Sequence, residues 1–258
     1  MQLIDTHTHF YEEIFSADRE SLVAAAKAVG VEALILPNIN QASTEPLLSL
    51  QAAYPGYCFA TTGLHPTDVT PDYGQTLARM EQQLGQCPFV AIGETGLDFY
   101  WDTTYSQEQE RSLEIQIDWA IGLNLPIILH CRKAFDPLYR MIKQKQKGNL
   151  TGVFHCFPGD EAQARKVIDL GFYLGIGGVV TYKNATMAKV VSAVGPNHLV
   201  LETDAPWLPP IPHRGQRNQS DYLPFIAQKV AELLNTTPDE IGRITTANAR
   251  SLFQLHDS

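Results

Sequence analysis

The feature that most constrains this chain is a series of short, near-continuous apolar runs, most of them followed by a residue able to bind metal or move a proton. The runs cover residues 2–5, 33–36, 58–62, 89–93, 127–130, 153–155, 172–176 and 199–201. Unalternating runs of this length suit parallel strands buried on both faces. Between them lie segments of helical character. Ser16 and Asp18 offer N-caps for a helix running to Val29, and Gly30 suits its C′ position. Leu113, Ile117, Ala120 and Ile121 fall at helical spacing within 107–123. Asp160 can cap 161–170, with Gly171 to end it. The stretch 224–253 reads as two helices broken around Thr236 and Thr237, with Pro238 at a favoured first-turn position.

Strand–helix alternation through 258 residues, with no linker, low-complexity tract or charge block, predicts one α/β domain over 1–258, a (β/α)8 TIM barrel. A doubly wound open sheet is the competing arrangement, and periodicity does not separate the two. The polar residues do. Asp5-Thr6-His7-Thr8-His9, His65, Glu94, His130, His155 and Asp204 all follow apolar runs. In a barrel the carboxyl ends of all strands converge on one face, so these groups share a pocket; an open sheet would spread them along a line.

The chemistry of these residues points to metal. His7 and His9 are two apart in extended chain, so both imidazoles face the same way. Paired neutral imidazoles suit a borderline divalent cation such as zinc. Glu94 has two oxygens and can bridge two cations, as two-metal hydrolysis requires at roughly 3.5–4 Å separation; the plainer alternative is a barrel-end salt bridge. His130 and His155 each terminate a run, and two on successive strands are hard to assign to ordinary core hydrogen bonding. A carboxylate at Asp204 can ligate a metal and accept a proton from a nucleophilic water. The expected ligands are therefore His7, His9, Glu94, His130, His155 and Asp204, with Glu94 and Asp204 also catalytic. His65 is placed in the same pocket as a catalytic group that contacts phosphate or orients the nucleophile, rather than as a ligand. Glu202 is read either as a partner behind a ligand or as a structural hydrogen-bonding group. Asp98 is read as a turn or helix cap, or as catalytic.

A net charge of −9 leaves no global basic footprint for nucleic acid. Metals and a few local cations would have to hold a phosphodiester. Arg132 (followed by Lys133), Arg214 and Arg217 are the substrate-binding candidates, because guanidinium forks match phosphate oxygens; each also reads as a solvated surface charge. Phe10, Tyr11, Tyr100, Trp101 and Trp207 either stack on bases or pack their loops onto the barrel. Cys58, Cys87, Cys131 and Cys156 form no Cys-x-x-Cys pair, which argues against a zinc knuckle and a dense disulfide framework. The amino terminus lacks a basic leader, and no segment approaches the roughly 20 apolar residues of a membrane span. The expectation is a cytoplasmic protein with no membrane and no obligate protein partner.

With these residues in hand, the chain resembles the TatD family of metal-dependent deoxyribonucleases, within the amidohydrolase superfamily. The match covers nearly the whole length and rests on Ile4-Asp5-Thr6-His7-Thr8-His9, Gly63-Leu64-His65-Pro66, Ile92-Gly93-Glu94-Thr95-Gly96-Leu97-Asp98, Leu129-His130-Cys131-Arg132, His155-Cys156-Phe157 and Leu201-Glu202-Thr203-Asp204-Ala205-Pro206. The resemblance implies two divalent metal ions (zinc, magnesium or manganese). His7, His9, Glu94 and Asp204 would surround one; Glu94, His130 and His155 would surround the other. It also implies 3′–5′ exonuclease action on DNA or another weakly bound phosphodiester. One stretch departs from the pattern: Asn-Glu-Pro is expected where the chain reads Asn218-Gln219-Ser220-Asp221, which predicts a changed helix entry and substrate wall. Two other readings stand beside phosphodiester hydrolysis. One is the same two-metal chemistry on a small amide, ester or lactone; the other is a non-catalytic scaffold on an old barrel, against which the intact ligand set speaks.

Overall fold

The structure, a computed structural model, describes residues 1–255. Its strands are β1 (Leu3–Asp5), β2 (Val31–Leu36), β3 (Cys58–Ala60), β4 (Ile92–Asp98), β5 (Ile127–Arg132), β6 (Gly152–Phe154), β7 (Tyr173–Ile176) and β8 (Leu199–Leu201). Neighbours pair in parallel in two sets, β1-β2-β3 and β4 through β8. Backbone beyond the named strands joins the sets at both seams, Thr62 with Ile92 and Thr8 with Ala205. The sheet is therefore a closed barrel, and the open-sheet alternative is excluded.

The helices are α1 (Arg19–Ala28), α2 (Gln41–Ala53), α3 (Tyr73–Leu84), α4 (Ser106–Leu123), α5 (Phe135–Lys145), α6 (Glu161–Asp169), α7 (Thr186–Val194), α8 (Leu223–Leu234) and α9 (Pro238–Phe253). Among the described residues none is long and apolar enough to cross a membrane. Strand residues of one parity fill the barrel interior: Ile4, Ala33, Ile35, Ile128, Val153 and Val200 pack with Ala249, Leu252 and Phe253 of α9. Their neighbours Leu3, Leu34, Leu36, Ile127 and Leu129 belong to the larger core shared with the helices. Burial on both faces is why the runs do not alternate. Helix α9 closes the amino-terminal end, where Thr246 Oγ1 donates to Gln2 O (3.0 Å) and Asn248 Nδ2 to Leu199 O (2.8 Å). The carboxyl end is left for chemistry.

Two local expectations need correction. Asp18 precedes α1, but its side chain makes no cap bond and instead receives the Arg217 guanidinium. The fourth strand was expected over 89–93 with Glu94 at its end; β4 starts at Ile92 and continues through Glu94 to Asp98. Ile92 faces Ile127 and Thr95 faces Leu129, so three steps on β4 match two on β5, a bulge. Gly93, with φ +152°, sits in it. From Glu94, the second residue of the bulge, onward, Glu94, Gly96 and Asp98 alternate onto one face. A Cβ on Gly96 would lie 2.0 Å from His130 O, so glycine lets β4 close on β5 there. The polar and glycine content of 94–98 concealed this half of the strand from a search for apolar runs.

The β8–β1 seam is stitched by a carboxylate. Asp5 is fully buried. Its Oδ1 accepts from Thr203 N (2.9 Å) and His7 N (3.3 Å), and its Oδ2 from Thr203 Oγ1 and Ser220 Oγ (both 2.6 Å). Burial pushes its pKa up to about 7 against these bonds. Ser220 stands where the resemblance expects proline, so the departure at 218–221 supplies a buried bond behind the site, and none of these residues lines the cavity over it. Asp5→Ala strands several buried donors at about 1–3 kcal/mol each. Urea unfolding should show a loss of roughly 3 kcal/mol or more. Asp5→Asn should lose less, because both hydroxyls can turn to accept from the amide.

Candidate metal centre

The expected ligands converge on Glu94, which is 3% exposed. Its two oxygens divide the histidines between them. Oε2 lies 3.1 Å from His7 Nε2 and 4.0 Å from His9 Nε2. Oε1 lies 2.8 Å from His130 Nδ1, 3.2 Å from His155 Nε2 and 3.3 Å from His65 Nε2. Asp204 Oδ1 sits 3.7 Å from both His7 and His9 on the Oε2 side. Asp204 occupies the left-handed region at φ 57°, a conformation aspartate tolerates better than most residues. Its N–H is held by His7 O (2.9 Å), which ties the loop after β8 to β1.

Hydrogen bonds on the outer nitrogens show which imidazoles can offer a lone pair. Tyr11 donates its only hydroxyl proton to Pro37 O (2.7 Å), so at 2.8 Å it accepts from His9 Nδ1–H. His9 Nε2 therefore turns a lone pair inward. His155 Nδ1 is 3.2 Å from Glu202 Oε1, an oxygen that also accepts from Cys156 N (2.5 Å). Glu202 thus sets a buried carboxylate behind His155, and Gly175 makes room for it, since a Cβ there would be 2.4 Å from Oε2. His130 Nε2 is 3.0 Å from Asp98 Oδ2. His65 is the opposite case: its Nδ1 accepts from Thr67 N (3.2 Å), so the neutral ring carries its proton on Nε2 and points a donor at Glu94. Among the described residues, three sets of donor atoms lie close enough to share an ion: His7, His9 and Glu94; His7, His155 and Asp204; and His65, Glu94 and His130. The proton on His65 Nε2 removes that residue from the last set. The remaining buried imidazole and carboxylate groups fit a binuclear site for divalent cations.

The profile described as TatD related DNase matches residues 4–254. The chain belongs to the TatD family. It is 36% identical over 255 residues to the uncharacterized metal-dependent hydrolase YabD of Bacillus subtilis, covering 98% of this chain and all of that one. It is 33% identical over 247 residues to the 3′-5′ ssDNA/RNA exonuclease TatD of Erwinia billingiae, covering 93% and 95%. Among solved structures, the TatD homologue YjjV of Escherichia coli K12 superposes with a TM-score of 0.91 at 31% identity, covering 98% of each chain. A TatD-family hydrolase from Entamoeba histolytica superposes at 0.85 and 18% identity over 99% of each, a likeness of fold. This protein is accordingly a TatD-family metal-dependent hydrolase.

Over the TatD-family centre lies a cavity of about 420 Å³, with Trp101, Arg132 and Trp207 in its wall. Arg132 rests over Tyr100 and Trp101, 4.0 and 4.9 Å from the ring centroids. The other two candidate arginines stand outside. Arg214 lies over Tyr182 (4.6 Å), and Arg217 pairs with Asp18 over Phe15 (4.7 Å). Phe10 and Tyr11 are buried in the core, whereas Trp101 (68%) and Trp207 (48%) are exposed at the mouth. Two further residues, unmarked by any motif, hold the main chain beside the site. On α4, Gln116 clasps the main chain of Leu64 (2.8 and 3.2 Å), and Gln109 clasps that of Asp98 (2.9 and 3.2 Å). Two glutamines seven apart, on the face that carries Leu113, Ile117 and Ala120, were the available signal.

The charges around Glu94 follow from burial and neighbours. Burial alone would raise Glu94, but His155, His65 and His7 hold it well below the usual carboxylate range. Burial, with His7 adding to it, keeps His9 well below the usual imidazole range. Burial also opposes charge on His130 and His155, yet Asp98 and Glu94 around the first, and Glu94 and Glu202 around the second, raise both. The nitrogens of His130 and His155 that face Glu94 therefore hold their protons more tightly than an ordinary imidazole, whereas His7 and His9 hold theirs less tightly, and cation uptake on the Oε1 side must release protons. Affinity should fall as pH drops through the raised imidazole range. Calorimetry in buffers of different ionisation enthalpy should find net proton release on zinc binding near neutral pH, and proton-neutral binding would contradict the arrangement.

Proposed function

We propose that this protein is a deoxyribonuclease that removes nucleotides from the 3′ end of single-stranded nucleic acid by two-metal activation of water, the activity its TatD relatives are named for. The observation that carries the reading is Arg132, set in the cavity wall beside the Glu94 centre. Stacking on Tyr100 and Trp101 occupies the face of its guanidinium and leaves the N–H edges for phosphate oxygens. A cavity of this size admits one end of a strand rather than a duplex, and the exposed indoles at its mouth are sequence-tolerant platforms for bases.

Divalent cations held by His7, His9, Glu94 and Asp204, and by Glu94, His130 and His155, would lower the pKa of the attacking water and offset charge building on phosphate. Asp204, whose Oδ1 lies 3.7 Å from both His7 and His9, would be held ionised by a cation there and take that water's proton. His65, whose Nε2–H lies beside Glu94 in the cavity wall, would turn that donor to a phosphoryl or leaving oxygen when substrate enters, and Arg132 would hold a non-bridging oxygen. As the water oxygen bonds to phosphorus, the P–O bond to the shortened strand breaks, and its leaving O3′ takes up the proton that Asp204 received from the water. Few cations contact substrate, so binding should be weak. With one or two phosphate contacts the log–log salt slope should be only about −0.7 to −1.4.

An end-labelled single strand incubated with magnesium, manganese or zinc should shorten stepwise from its 3′ end. Asp204→Asn should lower kcat about a hundredfold to ten-thousandfold. Arg132→Ala should raise KM about tenfold to a hundredfold. Metal-loaded protein that leaves every oligonucleotide intact would sink the proposal. A groove beside the mouth lined by Glu12, Glu13 and Glu20 repels a polyanion and favours a second reading, hydrolysis of a small neutral ester, amide or lactone. Such substrates assayed in parallel separate the two.

A further inference from the structure

Neutral imidazole has one lone-pair nitrogen, so a histidine ligand must keep its proton on the other. In His130 the nitrogen that belongs to the centre is Nδ1, 2.8 Å from Glu94 Oε1, and Nε2 lies 3.0 Å from Asp98 Oδ2. We infer that Asp98 is a positioning residue that fixes His130 in its Nε2–H tautomer and thereby assembles the cation subsite on the Oε1 side of Glu94. The inference rests on the metal-centre reading of the same cluster.

The carboxylate of Asp98 is held so that its two oxygens cannot exchange roles. It is buried at the end of β4, with its main chain clasped by Gln109. Oδ1 accepts from Tyr100 N (2.9 Å) and Trp101 N (3.3 Å), which leaves Oδ2 for the imidazole. Asp98→Asn must then turn its amide oxygen to those two N–H groups, because the reverse orientation sets NH₂ against donors. Its NH₂ faces His130 Nε2, makes that nitrogen the acceptor and drives the proton onto Nδ1, where a cation must bind. Asp98→Ala removes the acceptor without supplying a donor, so His130 is free to choose either tautomer. A residue that only capped the turn would give the reverse order, since Asn keeps both backbone bonds and Ala loses them.

Zinc titration by calorimetry, with thermal unfolding of the same samples, reads this order. Wild type should bind two zinc ions per chain. Asp98→Asn should weaken one of them about tenfold to a hundredfold and bind it less tightly than Asp98→Ala, while unfolding at the same or a higher temperature than Asp98→Ala. Two tight ions in wild type, with Asp98→Asn binding the second as well as Asp98→Ala or better, overturns the inference and leaves the centre standing. Fewer than two ions in wild type overturns both. If the alanine variant does not fold, long-range proton–nitrogen spectra of zinc-loaded wild type decide the matter: a His130 proton on Nε2 supports the inference and one on Nδ1 overturns it.

Discussion

A carboxylate sealed from water is tolerated only when other groups supply the charge and hydrogen bonds that water would have given. Glu94 is such a group, and the carboxyl face of the barrel is built to supply them. The bulge at Gly93 turns its side chain inward, and β1, β5, β6 and the loop after β8 bring His7, His9, His130, His155 and Asp204 around it. Because its oxygens face different histidines, one carboxylate divides the donors into two adjoining groups. Remove it and the histidines on either side lose their common partner.

Behind the imidazoles stands a second layer. Tyr11 and Asp98 each meet the outer nitrogen of one histidine, and the Glu202 carboxylate lies 3.2 Å from His155 Nδ1. Asp5 fixes the seam on which His7 and Asp204 ride, and Gln109 and Gln116 fix the main chain beside Asp98 and His65. His65 receives the opposite instruction from Thr67 N, which keeps a donor where a ligand would otherwise be read. Geometry alone groups His65 with Glu94 and His130; proton accounting separates them.

Much of this was legible in the sequence, and the limits have physical causes. Strands buried on both faces announce themselves by apolar content, so the barrel and the positions of His7 and His155 just past β1 and β6 could be read directly, whereas β5 runs two residues beyond His130, through Cys131 to Arg132. β4 could not, because its second half gives up apolar residues to Gly96, Glu94 and Asp98 for the sake of the site. Charge was legible, but pairing was not: Arg132, Arg214 and Arg217 look alike in sequence, and only the fold shows Arg217 engaged by Asp18 and Arg132 set over the centre. The substitution at Ser220 reads as an altered substrate wall until its hydroxyl is found on buried Asp5. Side chains that act across long sequence separations, such as Asp5 with Thr203, carry no local signature.

The central claim is that Glu94 bridges two cations. Anomalous diffraction at the zinc edge from zinc-soaked crystals tests it most directly. The account predicts two peaks roughly 3.5–4 Å apart, one beside Glu94 Oε2 with His7 and His9, the other beside Oε1 with His130 and His155. A single peak, or two peaks that do not share Glu94, would contradict it.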